Sequence, residues 1–289
     1  MKATAFAPGH ISGFFEPIYH KGDVAKTGSR GAGLCVSLGA ISEVIADGST
    51  NQNIEIYVNG KRADVPVTQL ALKYLLGENP IHVVVKTKLE LPMGQGFGMS
   101  AASALSATYA LASITGILQT EAMKASHRAE VQLKTGLGDV LASCFGGIEI
   151  RKEAGLPPWG VIEHIPGLYE LVLCVVGKKL DTKKILSDQN KAKDIVSYGR
   201  YCTKKLLENP SVENLFSLSQ VFTTKTNLAD KRVAGAIEAA NKFGMASMCM
   251  LGNSIFAIGQ TDMLCQALSK FGKVFVCVVD EGGARVLDK

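Results

Sequence analysis

Gly94, Gly96 and Gly98 alternate within the segment Pro92-Met-Gly-Gln-Gly-Phe-Gly-Met-Ser-Ala-Ala-Ser103, between an apolar β-branched run and an Ala/Leu/Ser run. Glycines let backbone N–H groups approach an anion closely, and a helix start adds unpaired donors and a positive dipole end. The chemistry on offer is a phosphate cradle. Its backbone would run through Pro92, Gln95, Phe97, Met99 and Ala101, with the hydroxyls of Ser100 and Ser103 near a phosphate or a divalent cation. The P-loop pattern GxxxxGK[ST] is absent, and the dinucleotide pattern GxGxxG fails because Met99 holds its last glycine position. A tight strand-to-helix connection would use the same glycines.

A phosphate site without a P-loop lysine calls for a metal ion, and so for a carboxylate close by. Glu130, about thirty residues past the loop, is the candidate metal ligand together with Ser100. The alternative is a surface glutamate paired with Lys134 one turn on. His127 shares the helical face of Glu130. Asp139 closes the turn Thr135-Gly-Leu-Gly-Asp139 at a helix start. It is a candidate general base, and equally an N-cap.

These residues need a scaffold, and the composition supplies one. Of 289 residues, 47% are hydrophobic and 20% charged, enough for a sizeable core. The net charge of +5 is spread without a long basic run, and aromatics make up 7%, which argues against nucleic-acid binding. Seven cysteines, an odd number and without CxxC, read as reduced thiols rather than a zinc site or a disulfide framework. No apolar run reaches the roughly 18–20 residues of a membrane span, and no apolar leader is visible; the expected compartment is the cytoplasm.

Along the chain, 2–7 reads as a short strand stopped by Pro8–Gly9, and 22–33 as a loop. Strands 53–58 and 61–65 flank the turn Asn59–Gly60. A helix at 68–76 and a strand at 81–91 lead into the glycine loop. Helices follow at 101–115, at 120–133 with Thr120 as N-cap, and from Asp139, before a strand at 147–151. The Gly/Pro-rich stretch 155–160 is the candidate boundary between halves. Beyond it come a strand at 170–176, helices at 182–186, 188–207, 212–224, 231–243 and 263–271, and a strand at 273–279. Helices and strands intermix in both halves, so the class is α+β.

With these motifs in place, the chain resembles the GHMP kinases, the superfamily of galactose, homoserine, mevalonate and phosphomevalonate kinases. Their loop runs Pro-x3-Gly-Leu-Gly-Ser-Ser-Ala; here Phe97 stands for the Leu and Met99 for the first Ser. Ser100 matches the second Ser, which the family uses on Mg²⁺ and the nucleotide phosphates. Glu130 followed by the glycine turn ending in Asp139 matches the family's order and spacing. The family's third motif has a degenerate counterpart at Met250–Ala257, with Gly252 and Ser254 as phosphate-side candidates. The resemblance implies ATP and Mg²⁺, a homodimer, and two domains: an N-terminal α+β phosphate-binding domain with a left-handed crossover over 1–156, and a ferredoxin-like domain over 157–289.

The stretches Ala5-Phe-Ala-Pro-Gly-His10 and Thr27–Gly33 sharpen this toward the archaeal pantoate kinases. That resemblance implies phosphorylation of the terminal hydroxyl of pantoate, a step of coenzyme A synthesis. A small carboxylate with two hydroxyls needs a cation and donors. Arg151 suits the carboxylate by its bidentate fork, and Ser29, His127 and Thr182 are candidate contacts. His10 and His20 rank behind them, and Lys178, Lys179, Lys183 and Lys184 read as a solvated face. The alternatives are a kinase of the same superfamily for mevalonate, homoserine or shikimate, and a non-catalytic metabolite sensor on the same scaffold.

Overall fold

The computed structural model describes residues 1–49, 51–179 and 189–289. Its larger sheet is organised by two long strands, β1 (Lys2–Ile18) and β2 (Gly28–Gly48), paired antiparallel along most of their length. The expected break at Pro8–Gly9 is a register shift inside β1, not its end. An irregular ladder position tolerates a proline that has no N–H to donate. The expected loop at 22–33 likewise gives way to β2 at Gly28.

Strand β3 (Asn53–Val58) turns through Asn59 and Gly60, both at positive φ (48° and 79°), into β4 (Lys61–Arg62). Helix α1 (Pro66–Leu76) then carries the chain to β5 (Ile81–Leu89), which pairs parallel with β3 and antiparallel with β2. Beyond the glycine loop stand α2 (Met99–Thr115), α3 (Gln119–Leu133) and α4 (Asp139–Phe145). Leu118, not Thr120, occupies the N-cap of α3, and Gly138 that of α4, so Asp139 enters the first turn with its carboxylate uncommitted to capping. Strands β6 (Ile148–Glu153) and β7 (Val161–Ile165) extend the sheet from the first half of β2.

The second sheet contains β8 (Glu170–Val175), β9 (Gly244–Met248), β10 (Ser254–Gly259) and β11 (Lys273–Val278) in the spatial order β11-β8-β10-β9. Counted within the sheet this is 4-1-3-2, the ferredoxin-like arrangement. Helices α5 (Gln189–Glu208), α6 (Val212–Thr226), α7 (Lys231–Ala240) and α8 (Thr261–Leu268) accompany it. A last strand, β12 (Arg285–Asp288), returns to pair with β1. The architecture is α+β, as expected. The helix expected at 182–186 lies outside the described residues. All seven cysteines are free, and no helix among the described residues is long and apolar enough to cross a membrane.

Helix α2 is the hub. Nearly every residue from Met99 to Ala112 is buried, whichever way it points, as expected of a helix enclosed on all sides. Its alanines admit close neighbours, and its hydroxyls are paired: Ser103 with Thr68 of α1 at 3.1 Å, Ser106 with Ser42 of β2 at 2.7 Å, and Thr108 with Ser126 of α3 at 2.9 Å. Buried hydroxyls left without partners would each be destabilising.

The helices of the second half press on β1 equally closely. A Cβ on Gly199 of α5 would collide with the Phe15 carbonyl, whereas a Cβ on Gly235 of α7 would meet only the Phe271 ring at 3.6 Å. Gly199→Ala is therefore expected to lose about 1–3 kcal/mol through overpacking, despite the better helix propensity of alanine. Gly235→Ala is expected to gain up to about 1 kcal/mol. Urea unfolding of the two variants, side by side with the parent chain, checks both signs.

Candidate active site

The glycine loop takes its shape from three left-handed residues, Gly94, Gly96 and Gly98, at φ of 74°, 79° and 60°. Side chains at these positions would be strained, and Gly96 has no room for one: a Cβ there would lie 2.9 Å from the carbonyls of Cys249 and Met250. Two supports hold the loop. On one side, the His10 N–H of β1 donates to the Phe97 carbonyl at 3.0 Å. On the other, the Ser254 hydroxyl donates to the Gln95 carbonyl, and Gly252 passes so close that a Cβ would collide with the same peptide. The Gln95 amide donates to the Gly177 carbonyl at 3.1 Å. Gly252 and Ser254 are thus braces behind the loop, while Met250 and Leu251 of the same turn face the cavity.

That cavity has a volume of about 690 Å³. Gly94, Gly96–Ala101, Glu130, the turn Thr135–Asp139 and Ser29 all line it. Glu130, from the end of α3, is 2% exposed and accepts the Thr135 hydroxyl at 3.2 Å. The alternative surface pairing with Lys134 is absent from the described ion pairs; Lys134 instead ends α3 in the left-handed conformation. Gly136 shows how near the two acids stand, since a Cβ there would collide with Glu130 Oε2 and lie 3.0 Å from Asp139 Oδ2. Burial first, then the Asp139 charge, pushes the Glu130 carboxyl up to about 8, against hydrogen bonds from Ser100 and Thr135.

Asp139 behaves oppositely. Burial works to raise its carboxyl, but the His10 hydrogen bond and charge and the Arg151 charge outweigh it and hold the group below the usual range. Its Oδ1 lies 2.6 Å from His10 Nδ1. One acid is pressed toward the neutral form and its neighbour held ionised, the division of roles that environment imposes on paired carboxylates.

The remaining candidates separate. Ser29 lines the cavity. Arg151 does not: it is fully buried, donating from Nη1 to Glu149 and from Nη2 to Ser12 Oγ at 3.1 Å. Its Nε is buried without a partner beneath Gly138, where Ser29 Oγ also converges. His127 stands apart from the cavity; its Nε2 lies 3.0 Å from the carbonyls of both Val24 and Thr27 and pins that loop, and burial lowers its pKa. Ser103 is likewise turned away, toward Thr68. Pro92 is exposed beside the loop rather than in the cavity, and Thr182 lies outside the described residues. His10, ranked only as a weaker candidate from the sequence, and Glu149, a buried strand residue with no motif of its own, prove to stand behind the site. Lys179 is exposed, as expected, with its stem lying across Gly94 close enough to collide with a Cβ there.

Backbone donors on one wall and paired acids on the other define the class, a small-molecule kinase. The comparisons agree. The family model for the GHMP kinases N terminal domain matches residues 65–147. The chain is 32% identical to a pantoate kinase of Methanospirillum hungatei, over 99% of this chain and 96% of that one. It is 33% identical to a pantoate kinase of Methanocaldococcus jannaschii, over 94% and 98% respectively. A solved structure described as a phosphotransferase related to the CoA biosynthesis pathway superposes with a TM-score of 0.90 at 29% identity, covering 99% of both chains. Homoserine kinase from Cytophaga hutchinsonii shares the fold at a TM-score of 0.71 and 20% identity, covering 99% and 97%. The chain belongs to the GHMP kinases, enzymes that draw their phosphoryl group from ATP.

The raised Glu130 carboxyl has a measurable consequence. Its folded value of about 8 exceeds the ordinary glutamate value of 4.5, so the native state keeps a proton that the unfolded chain has released. Stability then falls as pH rises through that window. Glu130→Gln removes this titration. Without divalent cations, its melting temperature should exceed that of the parent by about 2–4 °C at pH 8, with a smaller difference at pH 5, by calorimetry.

Proposed function

We propose that this kinase transfers the γ-phosphoryl group of ATP to the terminal hydroxyl of pantoate, giving 4-phosphopantoate and ADP for coenzyme A synthesis. The observation that carries the reading is the convergence of the glycine loop, Glu130 and Asp139 on one cavity. The identities with two archaeal pantoate kinases supply the acceptor.

Backbone N–H groups from Gly94 to Ala101 receive the β- and γ-phosphates. Ser100 and Glu130 would hold Mg²⁺. The donors suit it, being hard oxygens with Glu130 crowded by the Asp139 charge, and a small cation that keeps its waters and phosphate ligands needs few protein groups. No cluster of three or more His, Cys, Asp or Glu among the described residues would hold a metal alone. The bound ion would neutralise charge gathering on the transferred group.

Asp139 accepts the hydrogen bond of the acceptor hydroxyl and orients its oxygen toward the γ-phosphorus. The new O–P bond forms as the bond to ADP breaks, and the hydroxyl proton passes to the carboxylate. An acid held below the usual range is a weak base, so orientation is its larger contribution, in keeping with a loose transition state. The pantoate carboxylate lies toward Ser29, and Arg151, buried beneath Gly138, contributes its positive charge from behind that wall. The same reading gives a cytoplasmic homodimer. Residues 1–156 form the phosphate-binding domain and 157–289 the second domain, although β7 and β12 return to the first sheet.

A coupled ADP-release assay should show turnover with pantoate, far less with mevalonate, homoserine or shikimate, and none after chelation of divalent cations. Turnover with another of these acceptors instead would reassign the substrate, and none with any would favour a sensor. Asp139→Asn should lower kcat by about 10²–10⁴ while ATP binding, measured by calorimetry, stays within a few-fold. Equal loss of both would make Asp139 structural.

A further inference from the structure

Behind Asp139 runs a line of charge that the reaction as drawn does not use. His10, Glu149 and Arg151 are each fully buried. His10 Nδ1 lies 2.6 Å from Asp139 Oδ1 and His10 Nε2 lies 2.6 Å from Glu149 Oε1. Arg151 Nη1 donates to that same Glu149 oxygen and stands 3.2 Å from His10 Nε2. The ring therefore meets a carboxylate oxygen at each nitrogen. A bare Nδ1 would turn its lone pair on the Asp139 oxygen, and at Nε2 the Glu149 oxygen at 2.6 Å is closer than the Arg151 donor at 3.2 Å, so both positions call for a proton.

The surroundings fit this assignment. Two carboxylates, one imidazolium and one guanidinium sum to zero, which favours a cluster that is buried except where the Asp139 side chain, 27% exposed, faces the cavity. Cys35, opposite His10 on β2, adds no charge, because burial pushes its thiol well up. Gly33 leaves the gap that the chain occupies: a Cβ there would lie 2.9 Å from His10 Nε2 and 3.0 Å from Glu149 Oε1.

We propose that His10 and Glu149 are positioning residues for phosphoryl transfer, forming with Asp139 a buried carboxylate–imidazolium–carboxylate chain that fixes Asp139 through Oδ1 and leaves Oδ2 to the acceptor hydroxyl. This rests on the role given to Asp139 above. His10 touches no substrate. Glu149 acts one step further back, keeping the proton on Nε2 and, through charge balance, the ring in its cationic form. Arg151 holds Glu149 from the other side. The His10 pKa direction agrees: burial would lower it, but the hydrogen bonds and charges of Asp139 and Glu149 raise it.

The test has two arms. Nitrogen-15 spectra of the histidine-labelled chain, which has five histidines, are assigned with His10→Gln. One ring should carry protons on both nitrogens at pH 7, where a free imidazole, with a pKa of about 6.5, is mostly neutral. A His10 ring with one bare nitrogen overturns the proposal, whatever the acceptor proves to be. In the second arm, Glu149→Gln should lower kcat about 10–100-fold, as loss of a supporting hydrogen-bond partner does elsewhere. KM for ATP should stay within twofold, and the His10 doubly protonated signal should be lost. Unchanged kcat in a folded Glu149→Gln variant also overturns it. If the parent chain does not act on pantoate, the substrate reading fails while the spectra still decide this one; they need no variant of Glu149 to fold.

Discussion

One residue of β1 fastens both walls of the cavity. The His10 backbone N–H holds the Phe97 carbonyl of the glycine loop, and the His10 ring holds Asp139. The phosphate cradle and the acid that faces it are therefore referenced to a single point on a single strand. Phosphoryl transfer depends on alignment of attacking oxygen, phosphorus and leaving oxygen, and misalignment between two independently supported walls is what this attachment prevents. The register shift at Pro8–Gly9 makes it available, since it lies where the loop docks: a Cβ on Gly9 would lie 3.2 Å from the Phe97 carbonyl.

The acids show how function and stability pull apart. Glu130 is enclosed beside a second carboxylate, and burial together with that neighbouring charge favours its protonated form. An ordinary core would place no such pair together. A divalent cation reverses the balance, because it attracts both charges and needs the ionised form of its ligand. The charge crowding at the site and the cation proposed for it thus have one origin. Asp139 escapes the same crowding because the His10–Arg151 side of the site holds it ionised.

The second sheet matters to the cavity through its turn. Residues 249–254 stand behind the glycine loop, with Gly252 in contact with the Gln95 peptide and the Ser254 hydroxyl on its carbonyl. The loop is therefore clamped between β1 and a turn some 150 residues later in sequence. Helix α2 completes the frame. Its paired hydroxyls fix its rotation against α1, β2 and α3, and with it the direction in which Ser100 points. Ser103, one turn further on, belongs to that frame rather than to the phosphate.

The sequence by itself determined the parts whose physics is local. Three alternating glycines favour left-handed backbone, Asn59–Gly60 makes its hairpin, and an Ala/Leu/Ser run makes α2. Hence the glycine loop, the positions of Glu130 and Asp139 on helices, and the α+β class were all legible. Only the tertiary structure decided what each charge meets. His10 and Glu149 lie 139 residues apart and look like ordinary strand residues until β1, β2 and β6 bring them to 2.6 Å. His127 shares a helix face with Glu130, yet packing turns it to a loop carbonyl pair. Arg151 was expected at the surface of a substrate site and lies beneath it instead. A hydrogen bond across a sheet depends on register and twist summed over many residues, which no local pattern encodes, and a charge takes its pKa from neighbours that only the assembled fold supplies.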